Sequence, residues 1–153
     1  LDKAVETARF LGLTPPSALQ TWYNLVEREK FEAALRDVAV RHGLAVFPFY
    51  SLANGFLTGK YRSKEDLDKS VRGLRNVEYL EGRGMRVLQA LDEVASETGA
   101  ALATVALAWT MAQPAITAPI ASATSLAQFA ELAAALTLRL TPEQIARLDE
   151  ASA

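Results

Sequence analysis

The 153-residue chain contains no cysteine and a single histidine, His42. Without thiols it can form neither disulfides nor thiolate metal sites, and one imidazole cannot build a multi-histidine metal centre. No charge of one sign dominates: 16 Lys and Arg stand against 18 Asp and Glu, a net charge of -2. Nucleic-acid binding draws on clustered basic residues, so that class of partner is not expected. No apolar run approaches the roughly 18 residues of a membrane span, and no signal peptide is visible. These absences predict a cytoplasmic protein with no membrane partner. An initiator Met is also missing, and the chain enters a helical pattern directly from Leu1, as expected of a piece of a longer protein.

What is present is ordinary for a folded domain: 50% of the residues are apolar and 22% charged, enough for one domain with a sizeable core. The periodicity predicts a helix over 2–11, with Val5, Ala8 and Phe10-Leu11 on its apolar side and Gly12 as its stop. Ala18 to Leu25 has strand composition. A helix follows over 29–42, ended by Gly43, with His42 placed at its C-terminus, where the helix dipole favours it. Leu44 to Phe49 reads as a second strand. From Ser51 to about Gly84 periodicity fails, which predicts a long loop, functional or disordered. Helices are expected over 85–97 and 102–113, then a third short strand over 116–121. A helix from Leu126 is capped by Ser125. Thr141-Pro142-Glu143-Gln144 opens the last helix with a capping box.

Strands alternating with helices indicate parallel βαβ units in an α/β fold. Three parallel strands need cover at both edges, which a larger barrel supplies. In such folds ligands bind outside the carboxyl ends of the strands. That directs attention to residues 45–61, where an apolar strand runs into small residues and the two glycines Gly55 and Gly59.

Three segments resemble the aldo-keto reductase family. Gln20-Thr21-Trp22-Tyr23-Asn24-Leu25 is similar to the family's Gln-x-x-Tyr-Asn-Leu strand. Phe49-Tyr50-Ser51-Leu52-Ala53-Asn54-Gly55-Phe56-Leu57-Thr58-Gly59-Lys60-Tyr61 is similar to its Tyr-Ser-Pro-Leu-Ala-x-Gly-Leu-Leu-Thr-Gly-Lys-Tyr segment. Pro119 to Gln128 resembles the segment after the eighth strand. The likeness covers essentially the whole chain.

The resemblance implies a (β/α)8 TIM barrel binding NADP(H) across its C-terminal face without a Gly-rich fingerprint, and none is present here. Residues 1–153 would be its C-terminal part, from about the sixth strand onward, with the N-terminal half absent. Gln20 would hydrogen-bond the nicotinamide carboxamide. Phe49 aligns best with the aromatic residue that stacks on the nicotinamide, and Tyr50 follows in the Ser position. Since Ser51 replaces the frequent Pro, either ring could face the cofactor. Adjacent strand residues point to opposite faces, so only one is expected to do so.

By the same resemblance, Ser51, Leu52 and Gly55 would lie near the pyrophosphate. The basic residues of 60–86 are nearly balanced by acids and read mostly as a solvated loop, with Lys60 and Arg75 the best candidates to approach a phosphate. Ser122, Ala123, Thr124 and Gln128 would surround the adenosine 2′-phosphate, and Glu131 would contact the adenine amine. Ser122 and Thr124 read equally well as plain capping residues. The family's Arg on this helix is missing, so a charge-assisted clamp is missing too, and NAD(H) stands beside NADP(H) as a cofactor. Trp22 fits either the core or the rim of a substrate pocket, and Trp109 fits the core.

The family's catalytic Asp, Tyr, Lys and His sit on earlier strands. The expected function is therefore the cofactor-binding portion of an oxidoreductase that reduces aldehydes and ketones in its complete form, with no catalytic residue in this stretch. Two alternatives stand beside it: a non-catalytic relative of the potassium-channel β-subunit type, and a half-barrel that self-associates through its exposed strand edges.

Overall fold

A computed structural model describes all residues 1–153. Two parallel strands, β1 (Ala18–Trp22) and β2 (Ala45–Phe49), pair in register from Ala18 opposite Ala45 to Trp22 opposite Phe49. Between them run α2 (Glu29–Ala34) and α3 (Arg36–His42), and α1 (Asp2–Phe10) precedes the pair. After β2 the chain passes through three 3₁₀ stretches, Ala53–Thr58, Lys64–Lys69 and Gly73–Leu80. It then forms α4 (Arg83–Thr98), α5 (Leu102–Ala112), α6 (Leu126–Ala134) and α7 (Pro142–Ala151).

The two strands divide their side chains by alternation. Leu19, Thr21, Val46 and Pro48 point to the helical side, where Val46 joins the core with Leu19 packed against it. Ala18, Gln20, Trp22, Ala45, Phe47 and Phe49 lie on the other face, and none of them is fully buried. The core gathers Tyr23, Phe31, Leu88, Leu91, Trp109 and Leu148. α5 is its centre: every residue from Ala103 to Thr110 is buried, as expected of a helix that is apolar all round. α4 packs against α5 and α7, and α6 packs against α5.

Arg28 joins these helices. Its guanidinium lies 5.3 Å from the Trp109 ring centre and bonds Glu32 (2.7 Å) and the Ser152 hydroxyl (2.7 Å). It also pairs with Asp149 at 3.1 Å, while Trp109 Nε1 donates to the same carboxylate at 3.1 Å.

Five expectations change. The third strand is absent. Residues 116–121 run beside β2 but form one parallel bridge, between Val46 and Ile116. The Val46 amide is taken by the Thr117 hydroxyl at 3.0 Å rather than by a backbone carbonyl, and Pro119 has no amide hydrogen to offer. The fold is thus α/β with two paired strands instead of about three.

The first strand stops at Trp22. Asn24 Oδ1 accepts from the amides of Val26 (2.9 Å) and Glu27 (3.1 Å), an Asx turn that competes with extension. The helix over 29–42 breaks at Leu35.

Residues 51–84 are not a featureless loop. Ser63 and Asp66 form a capping box, and the backbone is tightly folded. A Cβ on Gly73 would meet Leu67 O at 1.7 Å, and one on Gly84 would meet Tyr79 O at 2.0 Å. Finally, α1 buries only Val5, and Phe10 is 88% exposed.

Candidate cofactor site

The strands present their carboxyl ends with three aromatic rings. Trp22 and Tyr50 stack with centroids 4.7 Å apart and planes 20° apart. Phe49 lies 5.9 Å from Trp22 and 5.3 Å from Tyr50, tilted to both. Phe49 and Tyr50 thus both lie in one cluster with Trp22, rather than on opposite faces as strand alternation would put them. Strand alternation ends at Phe49, because Tyr50 has φ 56°. This left-handed conformation is strained for an aromatic residue, and it turns the ring back over Trp22.

The turn is held from several sides. Asn24 is buried, and its side-chain amide donates to Tyr50 O at 2.9 Å. The Ala53 amide reaches the same carbonyl at 2.8 Å. Ser51 is buried and its hydroxyl donates to Pro48 O at 3.1 Å, so Ser51 serves the turn with its side chain. Arg75, from the third 3₁₀ stretch, donates to the Tyr50 hydroxyl at 3.3 Å. Asn24 is a positioning residue that sequence reasoning quoted in a motif without giving it a role. The available signal was an Asn near the end of the expected strand, the residue type that favours a local turn.

Gln20 lies on the same face as Trp22 and Phe49, opposite Phe47, and is exposed. Leu52 is half-buried at the start of the turn. Gly55 has φ 90°, and a Cβ there would lie 3.0 Å from Lys60 Cε. The close approach that this glycine permits is made by the Lys60 stem, which sets the ammonium beside the turn, 4.9 Å from the Tyr61 ring centre.

The second cluster follows residues 116–121. Ile120 N donates to Pro48 O at 2.7 Å, so Ser122 emerges at the same end of β2 as Phe49 and Tyr50. Ala123, Thr124, Ser125, Leu126 and Phe129 line an open cavity of about 450 Å³. Ser125 caps α6 by accepting from Gln128 N at 3.2 Å. The Gln128 side chain folds back, its Oε1 accepting from Thr124 N (2.9 Å) and the Thr124 hydroxyl (3.0 Å). Ser122 and Glu131 are exposed, and Glu131 O accepts from the Thr104 hydroxyl.

A smaller cavity of about 140 Å³ lies elsewhere, lined by Glu27, Glu78, Tyr79, Glu81 and Arg83 among others. Tyr79 donates to Glu27 at 2.9 Å; burial, and then that hydrogen bond, raise its hydroxyl above the ordinary value. Three carboxylates make this pocket unsuited to a phosphate. His42 lies with α1, its Nε2 2.7 Å from Asp2. Trp109 is fully buried, as expected.

The first cluster fits a nicotinamide dinucleotide: an open face carries an amide and stacked rings, and a backbone turn beside it carries a lysine. The second cluster offers neutral donors and no cation for a further phosphate.

Parallel strands with helices between them define an α/β protein, and the polar and aromatic cluster lies at the carboxyl ends of the strands, where such folds bind ligands. The aldo/keto reductase family model matches residues 3–153, and the chain belongs to that family. It is 32% identical to a probable voltage-gated potassium channel subunit beta of Oryza sativa, over 97% of this chain and 48% of that protein. It is 30% identical to the L-glyceraldehyde 3-phosphate reductase of Escherichia coli O157:H7, over 86% of this chain and 40% of that protein. Versiconal hemiacetal acetate reductase of Aspergillus parasiticus matches at 26% identity, over 87% of this chain and 39% of that protein. The chain thus spans less than half the length of these relatives. No helix is long and apolar enough to cross a membrane.

Proposed function

We propose that the chain is the cofactor-binding part of an oxidoreductase that reduces carbonyl compounds with a nicotinamide dinucleotide, folded in its complete form as a (β/α)8 barrel. Residues 1–153 would supply that barrel from its sixth strand onward. The observation that carries this reading is the cluster of Trp22, Phe49 and Tyr50 at the carboxyl ends of β1 and β2, with Gln20 on the same face.

When bound, the dinucleotide supplies the hydride for the carbonyl carbon. The chain's own part is to hold and orient. Gln20, with an amide that both donates and accepts, fixes the carboxamide and hence which face of the ring is presented. One ring of the cluster, Phe49 or Tyr50, stacks on the nicotinamide and keeps water from one side of it. Leu52, the backbone at Ser51 and Gly55, and Lys60 hold the pyrophosphate; Arg75 locks the Tyr50 ring through its hydroxyl. The proton for the product oxygen is assigned to the rest of the barrel.

Gln20→Ala in the complete protein tests this assignment. It should weaken dinucleotide binding and lower turnover together; unchanged affinity and turnover would sink it.

A second reading, a subunit that holds a dinucleotide without turnover, is favoured by the likeness to a potassium channel β subunit. Carbonyl reduction by the complete protein separates the two. Reduction of an aldehyde supports the enzyme. Tight binding with no NADPH consumed above a heat-treated control supports the subunit.

A further inference from the structure

The third 3₁₀ stretch, Gly73–Leu80, sorts its side chains into three columns. Residues three apart eclipse one another in a 3₁₀ helix, so each column meets one environment. Gly73, Asn76 and Tyr79 are buried against the rest of the fold. Leu74 and Val77, continued upstream by Val71, lie in solvent: Val71 is 100% exposed, Leu74 74% and Val77 46%. Arg75 and Glu78, continued by Arg72 and Glu81, form the last column and are exposed as well. The outer side of the stretch is therefore an apolar stripe beside a charged one.

The charged column is polarised, with its arginines at the N-terminal end and its glutamates at the C-terminal end. None of the four has an ion-pair partner within the chain. Nearby Arg62 and Lys69, in contrast, pair with Asp92 and Asp66. An anionic surface that attracted the arginines would repel the glutamates beside them. The occupant that fits must carry the same pattern reversed.

We propose that this outer side is a contact between two copies of the protein, with their 3₁₀ stretches antiparallel across a two-fold axis. Val71, Leu74 and Val77 of each copy form the seam. Rotation about the axis puts both charged columns on the same flank of that seam. Arg72 and Arg75 of one copy then lie beside Glu81 and Glu78 of the other, and the reverse. An isologous interface requires such self-complementarity. Three apolar side chains and four charges a side fall well short of the roughly 20–30 residues of a standard interface, so the pairing is reversible and depends on concentration. It leaves the edges of the sheet free.

Sedimentation equilibrium of the complete protein from about 5 µM to about 1 mM tests this contact. The expected result is a monomer–dimer equilibrium with its dissociation constant inside that range. Leu74→Glu, at a position already 74% exposed, should abolish the dimer and leave circular dichroism and Tm unchanged. Arg72→Glu should raise the dissociation constant about tenfold, because it turns two symmetry-related attractions into repulsions; Glu81→Arg should do the same. Combining Arg72→Glu with Glu81→Arg restores opposite charges and should return the constant to within about threefold of the unaltered value, a rescue that general damage to the fold would not give. A monomer at every concentration, an association that survives Leu74→Glu, or a double variant no tighter than the single ones would each overturn the inference.

Discussion

Arg28→Met should lower stability by about 2 kcal/mol, a value bracketed by two limits. Breaking a fully buried ion pair by removing one partner costs about 3–5 kcal/mol, whereas exposed pairs contribute about 0–1 kcal/mol. The Arg28 side chain is 19% exposed, with Glu32 at 23% and Asp149 at 37%, between those limits. Neither acid is left wholly unpartnered: Glu32 keeps the Tyr23 hydroxyl at 2.7 Å, and Asp149 keeps Trp109 Nε1 at 3.1 Å. Met also retains apolar contact with Trp109 where the guanidinium had lain over the ring. For a chain of this size a loss of about 2 kcal/mol corresponds to about 4–8 °C in Tm. Thermal unfolding followed by circular dichroism at pH 7 reads it directly. Arg28→Lys, which keeps charge but loses the two-pronged contact, should fall between. A Tm within about 2 °C of the unaltered protein for Arg28→Met would refute the idea that this network joins α2, α5 and α7.

Acid should destabilise the fold in steps. Burial pushes the Glu32 carboxyl up, but hydrogen bonds from Arg28 and Tyr23 outweigh it and leave the group below its ordinary 4.5. Hydrogen bonds from Arg147 and Gln144 lower Glu97 in the same way, and Lys69 chiefly holds Asp66 down at about 2. Depressed carboxylates contribute stability above their unfolded values and lose it as pH falls through the folded ones. Tm should therefore hold above about pH 5 and decline from pH 4.5 towards 2; a flat profile across that window would contradict these pairings. Gly73→Ala should cost about 1–3 kcal/mol by overpacking against the Leu67 carbonyl, read as a lower urea midpoint; an unchanged midpoint would mean that the 3₁₀ stretches yield freely. Thr141→Ala removes one half of the α7 capping box and should cost about 1 kcal/mol, which the same urea titration measures.

Features set by neighbours in sequence were legible. Ser125 caps α6, Thr141 and Gln144 box the start of α7, and Gly43 and Gly99 end their helices with positive φ, because each needs only a few consecutive residues. Features set by distant partners were not. The third strand failed because a hydroxyl 71 residues away takes the Val46 amide. The apolar stripe of α1 told which side is apolar, not whether anything covers it, and Phe10 lies in solvent. The 3₁₀ stretches escaped because their order comes from backbone packing at Gly73 and Gly84 and from a capping box in a polar run.

The candidate site was legible in its residue types and opaque in its geometry. Motifs pointed to Gln20, Phe49 and Tyr50, but no alternation rule foresees a left-handed Tyr50. That single dihedral puts both rings in one cluster. The bonds from Thr124 to the Gln128 side chain were not foreseen, since that contact is available only once the turn into α6 is built.

The most direct measurement on the central claim is the NMR detection of proton–proton contacts between bound NADH or NADPH and the protein. The account predicts cross-relaxation from the nicotinamide ring protons to the ring protons of Phe49 or Tyr50, lost in Gln20→Ala. Nicotinamide contacts confined to residues away from the ends of β1 and β2, or a bound dinucleotide with none to either ring, would contradict it.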